Sequence, residues 1–247
     1  MKNEFVMILI AITLITTACG STDGDVTQSV SETLNAGEKA PAGTQADTQS
    51  ESAAAAETAG ESGDPEVGYY PGTYTDTGYE SDYLGYQFTT PEGYTLSTQE
   101  ELATMIGMSI ESLSDDLTEA EAAYAQQAII YDMMAIADNE TNVPNVTISL
   151  QQYDTAGITL ETIVEAMMLQ LSRVTAMKVD FIGSYELVTF AGKEYYKANA
   201  KVDSAGVEYM LEYYFGMTSD RIIYITFTYF EDSASEKEEL AAAFAGY

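Results

Sequence analysis

The hydrophobic positions near the end of the chain follow the spacing of β-strands. Three runs rich in β-branched and aromatic residues cover residues 193–202, 207–216 and 221–230, and short polar segments at 203–206 and 217–220 separate them. Alternating runs bounded by polar turn residues are typical of antiparallel strands. The pattern therefore predicts a three-stranded meander with two tight turns.

The first turn also predicts a register. With a four-residue turn, Val202 lies opposite Val207, and the facing positions match in apolar character and in charge. The predicted pairs are Ala200–Tyr209, Ala198–Leu211, Tyr196–Tyr213, Lys201–Glu208, Lys197–Glu212 and Tyr195–Tyr214. Opposite charges across two strands contribute about 0.2–1 kcal/mol per pair. This agreement favours a structural role for the lysines over an anion site at Lys193, Lys197 and Lys201.

The second turn is predicted as a three-residue loop, Thr218 to Asp220. It places Tyr209, Leu211, Tyr213 and Phe215 opposite Ile223, Ile225, Phe227 and Tyr229. Because facing residues of an antiparallel pair point to the same side of the sheet, this register predicts one continuous apolar face.

Helical spacing occurs in four places. The strongest run extends from Leu160 to Met177, with Glu161 early and Arg173 late to complement the helix dipole. Three shorter helices are predicted from capping boxes, in which Ser or Thr stands three residues before Glu. The boxes are Ser97 with Glu100, Thr118 with Glu121, and Ser233 with Glu236, and the apolar residues of the first and last helices are Leu102, Met105, Ile106, Leu240, Ala243 and Phe244.

Three further strands complete the predicted sheet. Residues 86–90 form one strand, which Pro91 and Gly93 end, and residues 131–138 and 145–153 form two strands joined by a polar loop. The prediction is an α+β fold with about five or six antiparallel strands and flanking helices. Residues 83–247 are enough for one such domain.

The start of the chain has the order of a secretory signal. Lys2 precedes an apolar block that is shorter than the about 20 residues a membrane span needs, which leaves an uncleaved anchor as the alternative. Ala18 then precedes Cys19, the only cysteine, in an arrangement that resembles the lipobox of bacterial lipoproteins. The resemblance implies that residues 1–18 are removed and that Cys19 carries lipid. A disulfide lacks a second cysteine, and a reactive thiol lacks a neighbouring histidine or lysine cluster.

Residues 19–68 differ in composition from the rest. They are rich in Ser, Thr, Gly, Ala, Gln and acidic residues and contain no aromatic residue, so they are predicted to form a disordered tether after the lipidated cysteine. A tyrosine-rich junction, residues 69–82, follows. The candidates for a sugar-stacking or peptide-binding surface are Tyr74, Tyr79, Tyr83 and Tyr86. The alternative is a segment that lays amphipathic rings over the edge of the fold.

Charge and composition exclude several functions. The chain has 40 acidic and 9 basic residues, a formal charge of -31, which excludes nucleic-acid binding because phosphate contacts need a basic surface. The same charge opposes lying flat on anionic lipid. Without histidine, and with the only cysteine at the predicted anchor, serine–histidine, cysteine–histidine and zinc sites cannot form. We therefore predict no enzyme, no cofactor and no metal.

Two carboxylate alternatives remain open. A pair of acidic residues can hydrolyse glycosides, but 40 acidic residues make some pair inevitable and none diagnostic. Oxygen ligands suit calcium, and Asp138, Asn139, Glu140 and Asn142 share one loop, although they lack the spacing of an EF-hand. A solvated turn is the favoured interpretation of this loop.

The order of the predicted elements resembles the Mog1/PsbP-like fold. Phe88, Pro91, Gly93 and Tyr94, the long helix and the meander carry the resemblance, which covers residues 83–247. It implies an α/β/α sandwich similar to the DcrB-like and LpqN-like lipoproteins and to acidic lipoproteins of Firmicutes. Members of this group serve as binding or assembly factors, and no catalytic residues are carried over. Residues 108–130 depart from the simpler members and are predicted to be an insertion.

Two functions follow from these observations. The first is a lipid-anchored module on the outer face of the bacterial cytoplasmic membrane that binds or assembles an envelope or exported protein without catalysis. The alternative is a carbohydrate-binding or small-ligand-binding protein that uses the tyrosine surface.

Overall fold

The computed structural model describes residues 69–104, 129–153, 157–174 and 177–247. Within these ranges the strands are β1 (Thr73–Thr75), β2 (Gly78–Ser81), β3 (Tyr86–Thr89), β4 (Tyr94–Leu96), β5 (Ile129–Ala137), β6 (Asn145–Gln152), β7 (Lys178–Phe190), β8 (Lys193–Ser204), β9 (Val207–Met217), β10 (Arg221–Tyr229) and β11 (Phe244–Gly246). The helices are α1 (Leu160–Leu171) and α2 (Ala234–Ala242), with a 3₁₀ turn at Glu231–Ser233. A further helical segment covers residues 99–104.

The strands form two antiparallel sheets. One has four strands in the order β1-β2-β3-β11, and the other has seven in the order β4-β5-β6-β10-β9-β8-β7. The antiparallel strands and flanking helices agree with the prediction. The predicted five or six strands are fewer than those of the two sheets, which have four and seven strands. The largest omission is β7, a 13-residue edge strand.

Both faces of the central strands of the seven-stranded sheet are buried. On one face, α1 packs its buried residues Ile163, Val164, Met167 and Leu171 into the main hydrophobic cluster. On the other face, Phe244 of β11 contacts Phe190 of β7 and Phe227 of β10, with ring centroids 5.2 and 6.1 Å apart. The large sheet therefore lies between α1 on one side and the small sheet with α2 on the other.

Helix α1 ends earlier than its apolar spacing predicts. Thr159 caps its start by accepting a hydrogen bond from the Thr162 amide at 3.3 Å. At the other end, Ser172 Oγ donates to the Leu169 carbonyl at 2.8 Å. The predicted continuation to Met177 is wrong because β7 begins at the next residue, so Met177 is buried outside the helix.

The first hairpin of the meander is tighter than predicted. Its turn has two residues, Ala205 and Gly206, both with positive φ (51° and 83°), and Val202 lies opposite Tyr209 instead of Val207. Turns of this kind match the twist of the flanking strands, which explains the two-residue difference in register. A shift of two preserves the faces of the strands. The predicted ion pairs Lys201–Glu208 and Lys197–Glu212 therefore still form, each at 3.0 Å.

The second hairpin differs by one residue, which has a larger effect. Met217 pairs with Ile222, and Phe215 lies opposite Tyr224 instead of Ile223. The turn is fixed by Thr218, whose amide donates to the Arg221 carbonyl at 2.8 Å and whose Oγ1 accepts from the Arg221 amide at 3.1 Å. Because a slip of one residue reverses the faces of a strand, Ile223, Ile225 and Phe227 point away from α1. The predicted single apolar face is wrong.

Two of the predicted capping boxes also need correction. At the first, Thr98 and Glu101 form the box, with the Thr98 amide donating to Glu101 Oε2 at 2.7 Å, while Ser97 is buried. At the last, Ser233 Oγ donates to the Phe230 carbonyl instead of capping α2. Phe244 belongs to β11, not to the helix.

Several predictions fall outside the described residues. They are the signal at 1–18, Cys19, the tether at 19–68, the box at Thr118 and Glu121, and most of the insertion at 108–130, of which only Ile129 and Ile130 are described, in β5. Residues 69–82, predicted as a junction, contribute β1 and β2 to the small sheet. Among the described helices, none has the length and hydropathy to cross a bilayer.

The turn at Ala205 and Gly206 gives a stability prediction. Ala205 is exposed and has φ 51°, a conformation that Asn adopts more readily than Ala. We expect Ala205→Asn to raise the free energy of unfolding by about 0.5–1 kcal/mol, measured by urea denaturation. Ala205→Val is the control and should lower it by at least about 1 kcal/mol, because β-branched residues oppose positive φ. Equal stabilities of the three proteins would contradict the turn.

Candidate functional site

Two of the four tyrosines predicted to bind ligand are part of the core. Tyr79 and Tyr86 are 0% and 3% exposed. The Tyr86 hydroxyl donates to Asp132 Oδ2 at 3.2 Å inside the protein. Burial, and next the charge of Asp132, raise the pKa of Tyr86 well above its usual value. These two rings present no face to a ligand at the surface.

Tyr74 lies beside an open depression. Its hydroxyl donates to the Ser97 carbonyl at 2.7 Å, and its ring packs edge-on against Tyr79 at 5.1 Å. The depression has a volume of about 560 Å³, and its lining is mainly hydroxyl-bearing: Tyr74, Thr75, Asp76, Thr77, Gly78, Thr89, Thr90 and Leu96. Five of these eight residues carry a hydroxyl group, to which a ligand with polar groups can form hydrogen bonds.

Tyr83 belongs to a different group of tyrosines. We call this group the tyrosine patch and define it as Tyr70, Tyr83, Tyr153 and Tyr247. Tyr70 precedes β1, Tyr83 lies in the turn between β2 and β3, Tyr153 follows β6, and Tyr247 follows β11. Four separate segments of the chain thus supply the rings.

Hydrogen bonds and ring contacts bring the patch together at the turn between β9 and β10. The Tyr83 hydroxyl shares a hydrogen bond with Thr218 Oγ1 at 3.1 Å and donates to Asp220 Oδ1 at 3.2 Å. Tyr70 packs edge-on against the Tyr83 ring at 5.9 Å. The Tyr153 amide donates to the Asp220 carbonyl at 2.9 Å. Asp220 therefore joins two of the tyrosines.

Tyr247 joins the patch through the turn between β2 and β3. Its amide donates to the Gly85 carbonyl at 3.4 Å, and its hydroxyl donates to Asp82 Oδ1 at 2.7 Å. The hydrogen bond to Asp82, followed by desolvation and the charges of Asp82 and Glu80, raises the pKa of Tyr247 to about 12. The phenol consequently keeps its proton at physiological pH and remains a donor to the carboxylate.

The patch is exposed to solvent. Tyr70, Tyr153 and Tyr247 are 41%, 37% and 64% exposed, and they make up three of the eight large hydrophobic side chains exposed among the described residues. Sequence reasoning missed Tyr153 and Tyr247 because both are far along the chain from the tyrosine-rich segment. The predicted ends of the strands at 153 and 217–220 were the available signal, since strand ends can meet at one edge of a sheet.

Ile182 and Leu187, the most exposed aliphatic residues of the eight, lie on the edge strand β7. A long edge strand can add a strand from another protein. Here the pairing with β8 breaks between Ile182 and Glu186, and Gly183 has a φ of 73°. Bulges of this kind interrupt an edge and oppose strand addition. The tyrosine patch is therefore the better candidate for a binding surface.

A buried group of charges connects α2 to the large sheet. Glu212 of β9 is 3% exposed, and Lys237 of α2 is 2% exposed. Lys237 Nζ lies 3.1 Å from both carboxylate oxygens of Glu212, Lys197 Nζ lies 3.0 Å from Oε2, and the Tyr214 hydroxyl donates to Oε1 at 2.7 Å. Burial opposes the charge of Glu212, but these donors together lower its pKa below the usual 4.5. The group is enclosed and has a structural role.

The loop considered for calcium uses its side chains internally. Asn139 Oδ1 accepts hydrogen bonds from the Thr141 amide and hydroxyl, each at 2.9 Å, and Asn139 Nδ2 donates to the Val143 carbonyl at 2.6 Å. Asp138 Oδ1 accepts from the Thr95 hydroxyl at 2.6 Å. In the part of the chain that the structure describes, no three His, Cys, Asp or Glu residues lie close enough to hold a metal ion.

Comparisons with known proteins gave structural neighbours only. No protein-family model matches the chain, and no curated protein matches it. The solved structures that resemble it include cyanobacterial PsbP (CyanoP) from Synechocystis, with 14% identity over 74% of this chain and 96% of that one and a TM-score of 0.41. Another is LpqN of Mycobacterium tuberculosis, described as involved in cell envelope biogenesis, with 9% identity over 65% and 82% of the two chains and a TM-score of 0.38.

The names PsbP and LpqN also occur in the fold group that the order of the predicted elements resembles. With TM-scores below 0.5, these likenesses carry no argument about the function of this chain.

The buried charges predict a large effect of one substitution. We expect Glu212→Gln to lower the free energy of unfolding by about 2–4 kcal/mol, because the buried Lys237 would keep only the exposed Glu238 carboxylate, 2.7 Å away, as a countercharge, and Lys197 would lose its partner. Urea denaturation at pH 7 measures this effect. Glu208→Gln, which breaks the exposed pair with Lys201, is the matched control and should cost less than about 1 kcal/mol.

The same substitution has a predicted pH dependence. The pKa of Glu212 is lowered by folding, so its ionised form contributes stability above the unfolded pKa of about 4.5, and this contribution is lost as pH falls through the lower folded pKa. The stability difference between the wild-type protein and Glu212→Gln should therefore shrink as the pH falls below about 4.5. A difference that grows on acidification would contradict the assigned ion pair.

Proposed function

We propose that this chain is a non-catalytic binding module, anchored by lipid at Cys19 to the outer face of the bacterial cytoplasmic membrane. It captures an envelope or exported protein through the tyrosine patch. The observation that carries the proposal is that hydrogen bonds and a ring contact tie four tyrosine-bearing segments to two neighbouring turns, and that three of the four tyrosine side chains are exposed.

Tyrosine suits a surface that binds protein. Its ring offers a large contact area with few rotatable bonds, and its hydroxyl forms hydrogen bonds, so tyrosine is enriched at interfaces and among the residues that dominate binding energy. Tyr83 and Tyr247 are already held by Asp220 and Asp82. Rings fixed in advance lose little conformational entropy on binding.

The distribution of charge supports a protein partner in solution. The described ranges contain 23 acidic and seven basic residues. Five of the basic side chains form ion pairs within the chain: Lys178, Lys197, Lys201, Arg221 and Lys237. A surface left with mainly carboxylates repels phosphate groups of nucleic acids and anionic lipid, so the membrane contact in this proposal is made by the lipid at Cys19.

The depression beside Tyr74 favours a second candidate function, carbohydrate binding. Hydroxyls of Thr75, Thr77, Thr89 and Thr90 and the carboxylate of Asp76 surround it. Sugars bind through hydrogen bonds of this type together with contact to an aromatic ring, which Tyr74 supplies. A glycan array tests this alternative, and binding that Tyr74→Ser abolishes would support it.

The lipid anchor predicts a change of location for one variant. In a bacterial host, the wild-type protein should fractionate with membranes, and its first residue should be Cys19 carrying acyl chains, as measured by mass spectrometry. Cys19→Ser should lose the acyl mass and leave the detergent phase, because two or more acyl chains are needed for stable anchoring. An unmodified thiol at Cys19 in the wild-type membrane fraction would contradict the anchor.

The tyrosine patch predicts selective loss of a partner. After crosslinking and detergent solubilisation, the full-length protein should recover a partner in stoichiometric amount. The triple variant Tyr70→Ser, Tyr153→Ser, Tyr247→Ser should recover at least about tenfold less, because exposed rings near the centre of an interface contribute most of its affinity. Tyr83 is left unchanged because its hydroxyl is bonded to Asp220.

Tyr74→Ser is the matched control, since Tyr74 is another partly exposed tyrosine and lies outside the patch. It should recover the partner at the wild-type level. Thermal unfolding of each variant checks that the fold is intact. Equal recovery by the triple variant would contradict the assigned surface, and selective loss with Tyr74→Ser would favour the carbohydrate site.

A further inference from the structure

We infer that the tyrosine patch binds arginine side chains on an extended cationic segment of the partner protein. This inference rests on the function proposed above and adds the chemistry of the partner. Three features of the protein support it: the carboxylates that hold the rings, the positions of the nearby basic side chains, and the charge of the surface.

A carboxylate accompanies the phenol at two positions of the patch. Asp82 Oδ1 accepts from the Tyr247 hydroxyl at 2.7 Å, and Asp220 Oδ1 accepts from the Tyr83 hydroxyl at 3.2 Å. Asp82 is exposed, and the Asp220 side chain is 47% exposed. Asp82 therefore binds a tyrosine with one oxygen and still reaches solvent. Asp220 is partly exposed as well, but its Oδ2 lies 3.5 Å from Arg221 Nε, so Asp82 is the carboxylate more open to a ligand.

This arrangement suits a guanidinium group. A cation over the face of a tyrosine ring is attracted by the negative face of its π system. A phenol that donates its proton to a carboxylate has a more electron-rich ring, which strengthens that attraction. A planar guanidinium can stack on the ring and also donate to the adjacent carboxylate, whereas an ammonium acts mainly as a point charge. Arginine is therefore the better match than lysine.

The basic side chains near the patch already have partners within the chain. Lys193 Nζ donates to the Leu84 carbonyl at 2.6 Å. The Arg221 side chain is only 13% exposed, and its Nε lies 3.5 Å from Asp220 Oδ2. Neither cation covers the exposed faces of Tyr70 or Tyr247, which are 41% and 64% exposed. The rings are accessible to a cation from another molecule.

Charge complementarity favours an arginine-containing segment over a neutral sugar as the ligand of the tyrosine patch. The formal charge of -31 attracts a cationic segment from a distance and repels an acidic one. A sugar gains nothing from this field. The patch also spans two turns and two strand ends, and an extended segment can contact these separate rings one after another.

The test uses the full-length lipidated chain in nanodiscs of zwitterionic lipid, which does not itself attract basic peptides. The probe is a fluorescent glycine–serine peptide with several spaced arginines, and fluorescence anisotropy measures its affinity. The matched peptide replaces each arginine with citrulline, which has the same shape and no charge. We expect the citrulline peptide to bind at least about tenfold more weakly, and a lysine peptide to bind a few-fold more weakly than the arginine peptide.

Two variants place the binding on the patch. Tyr247→Ser and Asp82→Asn should each weaken the arginine peptide by about two- to fivefold, since an exposed cation–π contact has an energy of this size. Glu140→Gln removes the same charge from the loop between β5 and β6 and should leave the affinity unchanged. Raising the salt concentration from about 20 mM to about 200 mM should weaken binding through screening.

The inference is overturned if the citrulline peptide binds as well as the arginine peptide, if Asp82→Asn has no larger effect than Glu140→Gln, or if no peptide binds. These outcomes leave the proposed function intact when the triple tyrosine variant still loses its partner, because the partner then contacts the patch by other chemistry. If, in addition, the triple tyrosine variant recovered its partner as well as the wild-type protein does, the proposed function would be overturned too.

Discussion

The register between β9 and β10 is the constraint on which the rest of the structure depends. Because both faces of β9 and β10 are buried, a slip of one residue would exchange the residues that face α1 with those that face the small sheet. Glu212 would then leave the side on which it binds Lys237 of α2. The paired hydrogen bonds between Thr218 and Arg221 hold the register at the turn.

The turn that fixes the register also builds the candidate site. Thr218 shares a hydrogen bond with the Tyr83 hydroxyl, and Asp220 accepts from Tyr83 and from the Tyr153 amide. The small sheet is thereby joined to the large one at the place where the tyrosines converge. Binding residues on loops keep a fixed geometry only when a rigid scaffold holds the loops. Here the hydrogen bonds that stabilise the fold are the ones that position the rings.

The sequence predicted elements better than it predicted their register. Alternation was enough to find β8, β9 and β10, but register depends on turn geometry, and Ala205 does not resemble the Asn or Gly that usually marks a two-residue turn. Strand β7 was missed because a bulge near Gly183 interrupts its alternation and because the apolar spacing of α1 runs on to Met177. The tyrosine patch was only partly predictable, since Tyr153 and Tyr247 join it through tertiary structure.

The acidic composition has one physical consequence for the fold and another for the site. Within the described ranges, few basic residues are present, and the least exposed of those that form ion pairs hold the structure together, as Lys237 holds α2. Apart from the buried Asp132, most of the carboxylates that remain are exposed and mutually repulsive, which destabilises the folded state slightly and keeps copies of the chain apart. A cationic partner would relieve this repulsion when it binds. The affinity for a cationic partner would therefore have two contributions, the relief of repulsion within the acidic surface and the contacts at the tyrosine patch. Both contributions would decrease with increasing salt.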